Sequence, residues 1–201
     1  MRSTKGWHNQ FTQVCNERQV IMNWEKIDVK MERERVSKIV TVTVVERPAR
    51  KLILQRAKKT TGGNYFDYCE EMCCEWQELL NNIPEKLDLA ALLTLPTNLI
   101  KLGTTDTAAG VEVPIYYAKP ILTGYDIIDL PPCIMLFFQG MPFENDEDYG
   151  QAIDIVEQAI TSYQPEQYGF RYAPELAPHF NFGASAKIGA KKAVPVTLCS
   201  P

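Results

Sequence analysis

The sequence predicts an α+β fold built from two copies of one unit. Residues 44–55 and 127–138 share a pattern in which pairing Pro48 with Pro131 sets an offset of 83 residues. At that offset β-branched residues meet β-branched residues, and an acidic residue lies two positions before each proline. A polar or glycine-containing break and then a run of helical period follow each copy. A repeat this long indicates two strand–strand–helix units, and ligand pockets tend to form at the seam between such units.

The bulk composition narrows the class of protein. A chain of 201 residues with 45% hydrophobic and 23% charged residues can bury one core and has the composition of an ordinary soluble protein. The longest apolar run, Cys133–Phe138, is too short to cross a bilayer, and no signal segment is recognisable. The six cysteines lack the paired spacing of a zinc site and are typical of free thiols in a reducing cytoplasm. We therefore expect a cytoplasmic protein with no membrane contact, no metal and no cofactor.

The charge is distributed unevenly along the chain. Residues 1–60 hold fourteen Lys/Arg and six Asp/Glu, whereas the remainder holds seven and nineteen. A basic segment can contact nucleic acid, but here acids and bases interleave, as in residues 30–35. Interleaved charges favour a solvated helix face, so we expect no direct contact with nucleic acid.

The first elements follow from alternation and helical spacing. Apolar residues at helical spacing predict a partly helical N-terminal extension over 1–35, ahead of a folded domain at 36–201. Alternating valines at 40–45 predict a half-buried strand, which Pro48 ends or bulges because proline donates no ladder hydrogen bond. The pattern at 51–56 predicts a second strand.

A glycine pair then separates the strands from a predicted helix. Asn64 is the expected N-cap, and an apolar stripe at helical spacing predicts a helix that runs to about Asn82. Residues 85–107 read as loop with a short helix at 87–93, and 110–114 as a strand.

The second half repeats the order of the first. A strand is predicted at 125–130, and 133–138 is apolar on both faces, which favours a central strand. Acidic residues then begin a helix, as the helix dipole favours, and its apolar stripe covers 149–163. Strands at 179–183 and 188–196 are expected to close the fold.

The standard catalytic motifs are missing from the sequence, which holds no P-loop, dinucleotide fingerprint or nucleophile elbow. What remains is a set of aromatic residues with a few carboxylates near it. Aromatic faces stack on flat ligands and attract cations, and Glu112, between two valines, is the candidate carboxylate. Core packing for the aromatic residues and a solvent-facing position for Glu112 remain open alternatives. The predicted ligand-binding set is Tyr68, Met72, Trp76, Glu112, Tyr116, Phe138, Phe170, Tyr172 and Phe180.

Four stretches together resemble the gyrase-inhibitor-like family of small-molecule-binding domains, which also serves as the effector-binding half of many bacterial transcription regulators. They are 46–52, 110–114, 130–140 and 163–182, and the resemblance covers about 36–197. It implies duplicated strand–helix–strand–strand units that form a curved antiparallel sheet with two main helices and a central cleft. It also implies binding of bulky, apolar, often cationic molecules, with Trp76 and Glu112 at family pattern positions.

The last strand departs from the family pattern. Relatives that hydrolyse cyclopropane-bearing natural products usually carry an Arg-Gly-Tyr-Ile-Glu-like sequence there, whereas this chain reads Ile188-Gly189-Ala190-Lys191-Lys192. Lys192 then falls on the glutamate position and Ala190 on the tyrosine position. An anionic or neutral ligand is therefore an open alternative to a cationic one.

The resulting hypothesis is non-catalytic binding of bulky apolar or aromatic small molecules. The protein would act as a drug- or effector-binding sensor, or as a transcription-regulator module without its own DNA-binding domain. One alternative is a hydrolase of reactive cyclopropane-type products in which Glu112 supplies the acid. Another is a protein that inhibits gyrase or binds another macromolecule.

Overall fold

The computed structural model describes residues 38–199, and the predicted α+β class is confirmed there. The predicted N-terminal extension lies outside the described residues. Within the described range no helix is both long and apolar enough to cross a membrane. The strands are β1 Val40–Arg47, β2 Arg50–Arg56, β3 Ala91–Thr94, β4 Thr107–Pro114, β5 Asp126–Leu130, β6 Cys133–Gly140, β7 Phe170–Tyr172, β8 His179–Ser185 and β9 Gly189–Leu198. The α-helices are α1 Tyr65–Met72, α2 Trp76–Asn81 and α3 Tyr149–Ser162, and short 3₁₀ helices lie at Thr97–Leu99, Asp146–Asp148 and Pro165–Tyr168.

The strands form one open, curved, antiparallel sheet whose order repeats about its middle. The order is β1-β6-β9-β8-β3-β4-β2-β5, with β7 paired to β9. It consists of two matching blocks, β1-β6-β9-β8 and β5-β2-β4-β3, which meet where β3 pairs with β8. Each half of the chain lends one strand to the other block, because β1 pairs with β6 and β5 with β2. The offset of 83 residues maps β2 onto β6 and β4 onto β9, so the predicted duplication is confirmed.

The two faces of the sheet carry different cores, because side chains alternate between faces along each strand. On the face that bears the helices, Ile53 packs with α1 and α2, and Phe138 packs with Val156 of α3. We call this the helix face. The opposite face, which we call the open face, holds a third buried cluster around Leu52 and Leu93. This third cluster joins both halves of the chain and is built mainly from Leu52, Leu54, Leu93, Met135, Phe137 and Phe180.

The first helical segment begins as predicted but does not continue as one helix. The Asn64 side chain accepts the Asp67 N–H at 3.1 Å, which confirms the N-cap. The predicted single helix to Asn82 is wrong, because Cys73 adopts φ 65° and ψ 153° and separates α1 from α2. Beyond the break, Leu80 is buried and its neighbour Leu79 is exposed.

The short helix predicted at 87–93 is also wrong. Residues 87–90 form a bend and irregular chain, and β3 then begins at Ala91, with Leu93 between Ala108 of β4 and Phe180 of β8. A short apolar run is equally compatible with a helix and with a buried strand. Here the strand forms because both β4 and β8 pair with it. Residues 170–172, for which no strand was predicted, form β7 on the edge of β9.

The half-buried carboxylate of Glu71 fixes the loop that leads to α1. Glu71 accepts the backbone N–H groups of Lys58, Lys59 and Thr60 and the Thr60 hydroxyl, at 2.7 to 3.1 Å. Partial desolvation alone would raise the pKa of Glu71, but these hydrogen bonds outweigh it and hold the pKa below its usual value. The clamp positions the glycine pair that follows, and this pair borders the cavity described next.

Candidate ligand-binding site

A cavity of about 550 Å³ lies at the seam between the two halves, on the helix face. Cavities that hold small molecules typically measure about 300 to 1,000 Å³. Strands β3, β8 and β9 form its floor, α3 forms one wall, and the loop before α1 closes the first-half side. The lining residues are Gly62, Gly63, Leu92, Thr94, Ile153, Asp154, Glu157, Ile160, Thr161, Tyr172, Pro174, His179, Phe180, Asn181, Lys192, Ala193 and Val194.

One face of α3 supplies most of the wall. Ile153, Glu157, Ile160 and Thr161 follow the i, i+4, i+7, i+8 spacing that places side chains on one side of a helix. The two isoleucines also pack against the buried cluster beneath α3. The Tyr172 hydroxyl donates to the Ile160 carbonyl at 3.0 Å and ties β7 to the end of α3. The wall is therefore apolar with a polar rim.

The floor carries one cation. Lys192 pairs in register with Phe138 on one side and Asn181 on the other, which turns its side chain toward α3. Its ammonium forms an ion pair with Glu157, and the lysine side chain is 15% exposed whereas the glutamate side chain is 57% exposed. Although part of its surface meets solvent, the His179 ring is desolvated by its surroundings, which lowers its pKa. The imidazole is consequently a neutral group at neutral pH.

Glu112 lies on the open face, away from this cavity, and belongs to a charged network. It pairs in register with a leucine of the open-face core and forms ion pairs with buried Arg50 and, at 3.5 Å, with the Nε of Arg47. Arg47 also donates to Asp88 at 3.1 Å, and Lys191 donates to the same carboxylate at 3.0 Å. The network links both halves of the chain, and its carboxylates are already neutralised by three cations.

The structure separates the nine residues of the predicted ligand-binding set. Tyr172 and Phe180 border the cavity, although the Phe180 ring stacks on Phe182 within the open-face core, with centroids 6.0 Å apart. Tyr116 is 79% exposed, and Glu112 lies in the open-face network. The remaining five lie in the hydrophobic clusters of the helix face, namely Tyr68, Met72, Trp76, Phe138 and Phe170.

The cavity includes residues that the sequence reasoning did not select. The stripe over 149–163 was interpreted as core, yet Glu157 and Thr161 stand four residues apart beside that stripe and face the cavity. His179, one of two histidines in the sequence, also lines the cavity and was not in the predicted ligand-binding set. Besides the predicted Tyr172 and Phe180, the departure from the family pattern at Lys192 was a sequence signal that pointed into this cavity.

No metal centre is formed by the described part of the chain, which contains no group of three or more histidine, cysteine or acidic side chains able to hold an ion. The five cysteines within 38–199 are all free thiols.

Comparisons with known proteins give similarity at the level of structure only. No family model matches the sequence, and no curated protein matches it significantly. The chain is similar to SAV2435 bound to tetraphenylphosphonium, with 13% identity, 78% of this chain and 94% of that chain covered, and a TM-score of 0.47. It is similar to a bacterial transcription regulation protein from Staphylococcus aureus MU50 (16% identity, 78% and 98% covered, TM-score 0.44). It is also similar to the EcmrR C-terminal domain (11%, 80% and 99%, 0.44). With TM-scores below 0.5 these likenesses do not bear on function, which rests on the chain's own cavity.

Proposed function

We propose that this chain is a non-catalytic small-molecule-binding domain of the gyrase-inhibitor-like type, which takes a bulky apolar or aromatic molecule into the seam cavity. The supporting observation is a cavity of about 550 Å³ with an apolar wall and a few convergent polar groups. This composition is typical of ligand sites, where apolar walls supply affinity and single polar groups fix orientation. The proposed role is that of an effector sensor or a sequestering protein in a reducing cytoplasm.

The placement of the acids favours binding over turnover. A general acid must reach the reacting atom and hold its proton near the working pH, which burial of an unpaired carboxyl achieves. Glu112 is paired with arginines on the opposite face of the sheet. The two acids that line the cavity, Asp154 and Glu157, are both exposed on α3. We therefore expect ligands to leave the cavity unchanged.

The test uses 1-pyrenebutanol, a neutral flat aromatic probe whose fluorescence responds to an apolar environment. We expect saturable binding with one site per chain. Thr161→Trp, which adds an indole at the cavity wall, should weaken binding at least about tenfold because a filled cavity leaves no room for pyrene. Gln151→Trp is the matched control, since Gln151 is exposed on α3 and lines neither this cavity nor the groove that adjoins it.

Equal affinity in the wild type and both tryptophan variants would contradict this site, because the probe would then bind elsewhere. The absence of saturable binding in the wild type would contradict the proposed function itself. Chromatography of the probe recovered after incubation checks that it is unchanged.

A further inference from the structure

The charges of the cavity are arranged by depth. Lys192 stands on β9, which lies inside the sheet between β6 and β8, and its side chain is 15% exposed. The acids, Asp154 and Glu157, belong to the outer wall and are exposed. The floor of the cavity is therefore positive and its rim negative.

The present counter-ion of Lys192 is easily replaced. Glu157 is 57% exposed, and an exposed carboxylate loses little when it turns to water, since surface ion pairs contribute about 0 to 1 kcal/mol. Lys192 has less freedom to turn away, because its strand lies inside the sheet and its side chain is only 15% exposed, and a largely buried charge without a partner is costly. An anion that enters the cavity thus meets a cation that needs a partner.

The other polar groups near Lys192 do not oppose an anion. Asn181 pairs with it in register on β8 and offers an amide donor. His179 borders the same floor, and because desolvation lowers the pKa of its imidazole, the ring is neutral at neutral pH. Asp154 is repulsive, but it is exposed on α3, where water and salt screen it.

We propose that the ligand of this cavity is an apolar or aromatic molecule with one anionic group, whose negative oxygen pairs with Lys192 after displacing Glu157. This inference rests on the proposed function and adds the charge class of the ligand. The apolar part of the molecule lies against Ile153 and Ile160 of α3, and the anion points to the floor.

The test compares probes that share one tether and differ only in its end group: 1-pyrenebutyrate, 1-pyrenebutanol and 1-pyrenebutylammonium. At a physiological ionic strength of about 0.15 M, where the exposed acids are screened, we expect the butyrate to bind about tenfold more tightly than the ammonium, with the alcohol between them. Lys192→Met should abolish the preference for the butyrate over the ammonium, because the acids of the rim are then the only charges of the cavity. Glu157→Gln should raise the affinity for the butyrate, because the competing carboxylate is gone.

The chain offers a close control for Lys192. Lys191 is the preceding residue of β9, but it points to the open face, where it pairs with Asp88. Lys191→Met should leave the order of the three probes unchanged, and Glu166→Gln, an exposed acid outside the cavity lining, should leave the butyrate affinity unchanged.

Three outcomes separate the two claims. Tighter binding of the ammonium, or equal binding of all three probes, would overturn the anion inference while the binding function stands. Loss of the butyrate preference in Lys191→Met but not in Lys192→Met would also overturn it, because the anion would then bind on the open face. If neither the neutral alcohol nor either charged probe binds, both the anion inference and the proposed binding function are overturned.

Discussion

Replacing Glu112 with glutamine should cause a large loss of stability and leave ligand binding intact. Arg50 is completely buried, Glu112 is 5% exposed, and the arginine Nε donates to the glutamate Oε1. Glutamine keeps the size and one acceptor oxygen, but the substitution removes the negative charge and the second acceptor oxygen, which faces Arg47. Arg50 would retain its hydrogen bond to the Pro131 carbonyl, at 2.8 Å, but its charge would be uncompensated.

Removing one partner of a buried ion pair costs about 3 to 5 kcal/mol. Because Arg50 keeps hydrogen bonds after the change, we expect a loss near the lower limit, about 3 kcal/mol. Domains of this size have a free energy of unfolding of about 5 to 15 kcal/mol, so the variant should remain folded in water but be visibly weakened.

Urea unfolding followed by circular dichroism at pH 7 measures the loss. With a slope of about 1 to 3 kcal/mol/M, the midpoint should fall by about 1 to 3 M at unchanged slope. Glu46→Gln is the control, because Glu46 is exposed on β1 and the change should stay within about 0.5 kcal/mol. Replacing both partners, Arg50→Met with Glu112→Leu, should recover much of the stability, since the fully buried arginine charge is gone and Arg47 keeps its ion pair with Asp88.

Glu112→Gln would contradict the structural role of the Arg50–Glu112 pair if its free energy of unfolding fell by less than about 1 kcal/mol while 1-pyrenebutanol binding was lost. Such a result would mean that this carboxylate serves a ligand and contributes little to the fold.

Three further predictions concern the backbone and the loop before α1. Gly110→Ala should lower the free energy of unfolding by about 1 to 3 kcal/mol in thermal unfolding, because the new Cβ would lie 2.8 Å from a backbone oxygen of β2. The control Gly150→Ala in α3 places its Cβ where nothing lies within 4 Å and should raise that free energy by up to about 1 kcal/mol. Equal effects of the two substitutions would contradict the close packing of β4. Because the folded pKa of Glu71 is lowered, its contribution to stability is present above the usual glutamate pKa of about 4.3 and lost as the pH falls through the folded value. Glu71→Gln should therefore lose less stability than the wild type between pH 7 and pH 3 in urea unfolding, and an equal loss would argue against the clamp on residues 58–60. Cys73→Gly should raise the melting temperature, because glycine adopts φ 65° without the strain of about 1 to 3 kcal/mol that a side chain incurs there, and a lower value would show that the thiol contributes more than the strain costs.

Much of the fold was predictable because the signals are local or repeated. Alternation identified β1, the double-sided apolar run identified β6 as interior, and the 83-residue offset identified the duplication. The break at Cys73 was not predictable, since a positive φ is normally read from glycine or asparagine and cysteine gives no such signal. The strand β3 was missed because its few apolar residues fit either element until two neighbouring strands pair with it.

The candidate site was less predictable because it is formed by elements far apart in the sequence. The pattern Val111-Glu112-Val113 correctly separates the glutamate from its neighbours by face, but alternation alone does not say which face holds a cavity. Residues of α3 face the seam only because the sheet places β8 and β9 beneath that helix. Lys192 was found because a family pattern has an acid there, a signal independent of tertiary structure.

A crystal structure of the protein with 1-pyrenebutyrate is the most direct test of the proposed ligand site. We expect pyrene between α3 and the sheet, in contact with Ile153 and Ile160, with its carboxylate within hydrogen-bonding distance of the Lys192 Nζ. Pyrene on the open face, with its carboxylate against Arg47 and Lys191, would contradict it.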